Sequence, residues 1–244
     1  MNVHFIIHEY FESEGYFGTW AKDNQLTTHY SKLYLGDALP TNSDAFDLLV
    51  VLGGPQNPAT TTQECAHFDA NKERSLILHT IESGKPVVGV CLGAQLIGEA
   101  LGAKHQTSPE PEIGSFPIQL TPEGIKDPLL AGFSLEEQVG HWHGDMPGLT
   151  ANAKVLAASQ GCPRQIVRYC DLVYGFQCHL EFVPEQFDAL IENSQQDLTT
   201  LKGKPFVQSP SEIKAMPTQH MNALLGQFLD ELVAMYQAKK AQRG

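Results

Sequence analysis

The sequence predicts an α/β fold: a mostly parallel central sheet with helices on both faces, plus a small antiparallel β extension. Three observations carry this. Up to Gly102, short continuous apolar runs, which suit strands buried on both faces, alternate with helical stretches. That order gives right-handed βαβ units. Residues 104–182 then turn Pro- and Gly-rich with short alternating runs, as hairpins and meanders do. From Pro184 the chain reads as helical again. At 244 residues with 42% apolar and 18% charged, it suits one large domain over 1–244, with a helical C-terminal extension at about 185–244. A chain of this size buries roughly 72% of its extended surface and needs no disulfide or metal staple to fold.

The elements follow in order. Val3–His8 reads as a first strand, followed by a polar and aromatic stretch through Trp20 and a weak strand around Ser31–Leu35. Asp47–Leu52 is a buried strand ended by Gly53-Gly54-Pro55. A helix over about Asp69–Ser83 is closed by Gly84 and Pro86, the expected order for a helix stop. Pro86–Val90 is another buried strand, and Leu92–Leu101 a helix ending at Gly102. Phe116–Leu120, Lys154–Ser159, Gln165–Tyr169 and Leu172–His179 read as strands. The last helix, Met221–Lys240, carries Leu224, Leu225, Phe228, Leu229, Leu232, Val233 and Tyr236 at helical spacing.

Charge and composition exclude several classes. Sixteen Lys and Arg against 28 Asp and Glu give a net charge of −12, which repels phosphate backbones and argues against a nucleic-acid partner. The basic cluster of Lys239, Lys240 and Arg243 suits the negative end of a last helix. No apolar run approaches the ~20 residues that span a bilayer, and the N-terminus lacks a signal-peptide pattern. The five cysteines, an odd number without C-x-x-C spacing, read as reduced thiols in a cytoplasmic protein. No phosphate loop or dinucleotide fingerprint occurs, so no cofactor is expected.

Three stretches carry chemistry. In Gly89-Val90-Cys91-Leu92-Gly93 a buried strand runs straight into a helix, with glycines two residues either side of a cysteine. This is the spacing of a nucleophile elbow. Such a turn strains the central residue and projects its thiol over a helix N-terminus, which favours a thiolate. The Leu92 amide points toward a developing oxyanion. In the second stretch, His179 and Glu181 stand two apart in extended chain and share a face, so the carboxylate can orient the imidazole as a Cys–His–Glu relay requires. The third, Gly53-Gly54-Pro55, ends a buried strand, where glycine lets the backbone approach a ligand and its amides complete an oxyanion hole. Taken singly, each stretch also fits a bland reading: a buried thiol, a surface pair, an ordinary turn.

Taken together, Gly53-Gly54-Pro55, Gly89–Gln95 and Gly175–Glu181 lie in the right order within residues 1–184, and by them the chain resembles the class I (triad) glutamine amidotransferases. Glu112-Ile113-Gly114 and His141-Trp142-His143-Gly144-Asp145 look most like the stand-alone branch similar to the glutaminase domain of GMP synthetase. The resemblance implies a flavodoxin-like three-layer sandwich, with Cys91 as nucleophile, His179 as base and acid, and Glu181 as its orienter. It also implies an oxyanion hole from the Gly54 and Leu92 amides and substrate contacts from Gly53, Gln95 and His141–His143, the last largely through backbone atoms. The family's usual His-Pro-Glu is His179-Leu180-Glu181 here. Leucine keeps the spacing but gives up proline's fixed φ.

His141, His143 and Asp145 lack further matched ligands, so no metal site is expected. His4, His8, His67, His79, His105, His220 and the other cysteines read as packing or surface residues. The expected activity is hydrolysis of the glutamine side-chain amide, with a possible separate synthase subunit as partner; in one variant of this reading the activity is latent until that subunit docks. Two rivals stand beside it: hydrolysis of a γ-glutamyl peptide or conjugate by the same relay, and a non-catalytic regulatory module of this fold.

Overall fold

In the computed structural model, which describes residues 1–242 and so leaves Arg243 of the basic cluster outside, nine strands form one sheet among the described residues. Its parallel half consists of β1 (Asn2–Ile7), β2 (Thr27–Lys32), β3 (Leu48–Val51), β4 (Val87–Val90) and β9 (Val173–Phe176), in the order β2-β1-β3-β4-β9. The sheet continues antiparallel through β8 (Ile166–Cys170), β7 (Lys154–Ala158), β5 (Gln106–Leu120) and β6 (Glu136–Met146). Helix α1 (Tyr16–Asp23) follows β1, α2 (Ala70–Glu82) follows β3, and α3 (Leu92–Ala100) follows β4. The short α4 (Pro122–Ile125) follows β5, and α5 (Phe187–Asn193), α6 (Gln195–Thr200), α7 (Pro210–Lys214) and α8 (Gln219–Ala241) complete the chain.

The apolar runs behave as buried strands should. Every residue of β3 and β4 is buried, and alternate side chains serve opposite faces. Phe5, Ile7, Val88 and Val90 join α1 and α8 in one core cluster, while Ile6, Val51 and Val87 join α2 and α3 in the other. Asp69 caps α2 by accepting the Asn71 and Lys72 amides at 3.1 and 3.2 Å, and Gly84, at φ 69°, ends it. The stripe along α8 packs as its spacing implies. Phe228, fully buried, sets its ring edge-on to Tyr174 and Phe176 at 5.1 and 4.9 Å, and Trp20 of α1 donates to Asp230 of α8 at 2.8 Å.

Four elements differ from the sequence reading. Helix α1 begins within the polar and aromatic stretch and runs past Trp20, its eight residues too few for a clear period. The weak strand expected around Ser31–Leu35 lies earlier, in β2, and Leu33–Leu35 form a 3₁₀ turn. The strand expected over Leu172–His179 ends at Phe176, so His179 and Glu181 stand in a non-strand extension. Finally, β6, which no sequence element anticipated, carries His141–Asp145 and pairs with a β5 that begins ten residues before the expected Phe116. Three prolines masked β5. Pro109 and Pro111 fall in the register shift between Thr107 and Glu112, and Pro117 lies outside the Gln119–Leu120 pairing with β7, where a missing N–H costs little. Among the described residues no helix is long and apolar enough to cross a membrane.

The packing of α8 generates a stability test. Phe228→Ala removes the ring wedged against Tyr174 and Phe176 and should lower the unfolding free energy by ~3–5 kcal/mol in urea titrations. A loss within ~0.5 kcal/mol, typical of surface positions, would show that α8 is not part of the core.

Candidate active site

Where β4 meets α3 the chain turns within a single residue. Cys91 holds φ 51° and ψ −108°, a left-handed conformation that costs a non-glycine residue about 1–3 kcal/mol. Its amide donates to the Phe176 carbonyl at 2.7 Å, tying the elbow to β9. The flanking glycines are sterically required: a Cβ on Gly89 would strike the Gly93 carbonyl, and one on Gly93 would strike the Val51 carbonyl oxygen. The Cys91 side chain is buried apart from a small window, and its thiol donates to the Trp142 carbonyl across a long 3.7 Å. Leu92, the first residue of α3, presents the helix N-terminus beside it.

His179 lies deep behind the thiol, 2% exposed. Its Nδ1–H donates to Glu181 Oε1 at 2.6 Å, and Nε2 makes no hydrogen bond among the described residues. Burial works to lower the imidazole's pKa, but the Glu181 carboxylate and the nearby Cys91 side chain outweigh it and hold the pKa at about 10. The ring stacks on Phe182, centroids 4.1 Å apart and planes 8° from parallel. The stiffness that proline does not supply at Leu180 comes from tertiary contacts. His179 and Gly140 exchange backbone hydrogen bonds at 2.8 and 3.1 Å. Asn222 of α8 donates to the Leu180 and Phe182 carbonyls at 2.7 and 3.0 Å, and the Tyr16 amide donates to the Glu181 carbonyl at 2.8 Å.

Gly53 packs against Cys91: a Cβ there would stand 3.5 Å from that of the cysteine. Its carbonyl accepts His8 Nδ1–H at 2.8 Å, while His8 Nε2–H donates to Glu73 at 2.9 Å. With acceptors on both ring nitrogens, His8 is held as an imidazolium. Burial opposes that charge, and Glu73 and the Gly53 carbonyl raise the pKa against it. The Gly53 carbonyl and the Gly54 N–H belong to one trans peptide, so the hydrogen bond from His8 turns the Gly54 N–H to the opposite side. His8 thus fixes the orientation of this peptide, whereas the sequence places it among packing or surface residues. The signal available was a histidine at the end of β1, the edge where ligands meet parallel sheets.

A cavity of about 210 Å³ opens here, lined by Cys91, Gly54, Gln95, Trp142, His143 and Glu12 among others. Burial lifts the Glu12 carboxyl to about 7, with Glu181 and Glu9 adding to the rise and His179 and His8 opposing it. Gln95 donates to Gln177 at 3.1 Å and keeps an unpartnered Oε1. The His141 side chain does not line the cavity. It is buried within the sheet, its Nε2 3.2 Å from the Phe116 carbonyl, and burial lowers its pKa to about 3. The two histidines meet Glu112, the cross-strand partner of His143, whereas Asp145 lines the cavity.

Comparison with known proteins bears on this geometry. The family model described as glutamine amidotransferase class-I matches residues 23–196. The chain is 53% identical over 239 residues to the glutamine amidotransferase-like protein YfeJ of Salmonella typhimurium, covering 98% of this chain and 100% of that one. It is 29% identical over 220 residues to the glutamine-hydrolyzing GMP synthase of Aeropyrum pernix, covering 85% of this chain but only 38% of the synthase. Among solved structures, SMU.1228c superposes with a TM-score of 0.93 at 46% identity, covering 96% of this chain and all of that one. A glutamine amidotransferase from Thermotoga maritima superposes at 0.83 with 22% identity, over 96% of this chain and 98% of that one, and so shares the fold.

The His179–Glu181 pair sets a pH dependence of stability. The folded-state pKa is raised from 6.5 to about 10, so its contribution is fully present below pH 6.5 and fades as pH rises through 10. Urea titrations at pH 6, 8 and 10 should show that decline in the native chain and a flatter profile in Glu181→Gln. Parallel profiles would refute the pairing.

Proposed function

Since the chain belongs to the class-I glutamine amidotransferase family, we propose that it hydrolyses the side-chain amide of glutamine through a thioester on Cys91. What supports the reading most is the constellation itself: a cysteine strained at φ 51° at the cavity edge, backed by a histidine whose far nitrogen is anchored on a carboxylate at 2.6 Å. A relay needs the imidazole held from behind and free in front.

The steps follow from these positions. The Cys91 thiolate adds to the amide carbon, and the oxyanion is met by the Gly54 and Leu92 amides, fixed donors that need no reorganisation. The imidazolium of His179 gives its proton to the amide nitrogen, the C–N bond breaks, and ammonia leaves a thioester. Neutral His179 then takes a proton from water as its oxygen adds to the thioester. The C–S bond breaks, glutamate departs, and the thiolate–imidazolium pair returns. Glu181, hydrogen-bonded to Nδ1, holds the ring in place and steadies the imidazolium. Gly53, Gln95 and the backbone of His141–His143 hold the α-amino and carboxylate end of the substrate. By likeness to the glutamine-hydrolyzing GMP synthase, we assign use of the ammonia to a synthase partner.

Purified protein given glutamine should release ammonia and glutamate in equal amounts, and Cys91→Ala should lose at least ~10³-fold in kcat/KM, because members of a relay act as a unit. Near-full activity in Cys91→Ala would overturn the assignment. Release from a γ-glutamyl dipeptide but not from glutamine would move the substrate to that class. His8→Ala should lower kcat by ~10–10³-fold with KM little changed, the cost of one misdirected oxyanion donor, and His8→Gln, which keeps a donor, should retain more.

A further inference from the structure

Next to the cavity but outside the relay, three more ligand-type side chains converge. His67 Nε2 lies 2.9 Å from Glu9 Oε1 and 3.4 Å from Cys65 Sγ. The Gln56 amide nitrogen stands 2.7 Å from the same oxygen and 3.4 Å from the same sulfur. The group has the composition of the Cys–His–Glu relay but not its geometry. A relay uses the two ring nitrogens in opposite directions, as His179 does, whereas here sulfur and carboxylate meet a single nitrogen. That nitrogen has one hydrogen or one lone pair to offer, so three electron-rich atoms face one point.

Such convergence suits a cation. Tetrahedral zinc, with bonds of ~2.3 Å to sulfur and ~2.0–2.1 Å to nitrogen and oxygen, sets S and N about 3.5 Å apart and N and O about 3.3 Å apart. The observed 3.4 and 2.9 Å need only small adjustment. Two further observations fit. Gln56 Oε1 is buried without a hydrogen-bond partner, and a half-turn of the amide presents that oxygen to the cluster. The His67 and Glu9 side chains remain 31% and 16% exposed, leaving an approach for the ion and for a water ligand.

We propose that Glu9, Cys65 and His67 form a binding site for a zinc-class divalent cation. A thiolate–imidazole–carboxylate set favours this class over magnesium or calcium, which take oxygen ligands. The site joins the segment after β1, which carries Phe11 and Glu12, to the segment after Gly54, which carries Gln56 and Asn57. All four residues line the cavity, so the ion clamps two walls of the cleft together. Sequence reading had no route to it: Glu9 lies 58 positions from His67, and Cys65-x-His67 alone is too short a pattern. The other convergence, Glu112 with His141 and His143, is sealed in the sheet, and its Oε2 already accepts Ser159 and Gln165 at 2.8 and 2.6 Å.

The test uses the full chain carrying Cys91→Ala, so that the cleft thiol contributes nothing, after stripping with a chelator. Cobalt(II) titration should give a thiolate-to-metal charge-transfer band with tetrahedral ligand-field absorption, saturating at one equivalent and displaced by zinc. Adding Cys65→Ser should abolish the band, and His67→Gln should weaken binding at least ~10-fold. Zinc should also shield Cys65, but not the exposed Cys170, from iodoacetamide in peptide mapping, a readout on the folded parent that stands whether or not the variants fold. A spectrum without the charge-transfer band, a band unchanged by Cys65→Ser, or equal alkylation of Cys65 with and without zinc would each overturn the site. None of these readings depends on glutaminase activity.

Discussion

The one-residue turn at Cys91 is the constraint on which the rest depends. A strand buried on both faces must become a helix at once, and the only way through is a positive φ at the residue that carries the thiol. That strain persists only if the surroundings hold it. Three features do so: Gly89 and Gly93, where any Cβ would meet backbone; the Cys91 amide bonded to Phe176 of β9; and the packing of α3 into the core on one side of the sheet. The elbow therefore exists because β3, β4 and β9 are neighbours, and it places the thiol where the strand ends open into a cavity.

Around this elbow the molecule buries charge, and two buried imidazoles are each compensated at close range. His179 is paired with Glu181 and His8 with Glu73, both at hydrogen-bond distance. Losing one partner of such a pair is costly because the other charge is stranded away from water. The two pairs do different work. The first leaves an imidazole nitrogen facing the thiol, whereas the second spends both nitrogens and orients a peptide. The same residue type thus keeps one nitrogen unengaged in one place and is a fixed support in the other, decided by what its second nitrogen meets.

The C-terminal helices, outside every motif, are bound into this arrangement. Asn222 grips the carbonyls on either side of Glu181, and Phe228 packs on β9, the strand that leads to the histidine. Leu180, standing where proline is usual in the family, is tolerated because the segment is held from outside by hydrogen bonds to α8, α1 and β6. The fold substitutes tertiary restraint for a local one.

What the sequence determined by itself were the features written in local order. The apolar runs of β3 and β4, the glycine spacing around Cys91, the His179-x-Glu181 pair and the stripe of α8 are short-range patterns, and they make the parallel half of the sheet, the elbow and the His179–Glu181 pairing legible. Tertiary structure decided whatever depends on partners distant in the chain. Strand β5 is hidden by prolines that only its pairing renders harmless, and His141–His143 become strand residues only once β5 lies beside them. His8 looks like any histidine until Glu73 and Gly53 fold onto its two nitrogens, and Glu9 and His67 meet only because β1 and β3 are neighbours. Periodicity records how a segment buries itself, whereas a hydrogen bond between distant residues leaves no trace in either residue's neighbourhood, so the site's supports became visible only in the folded chain.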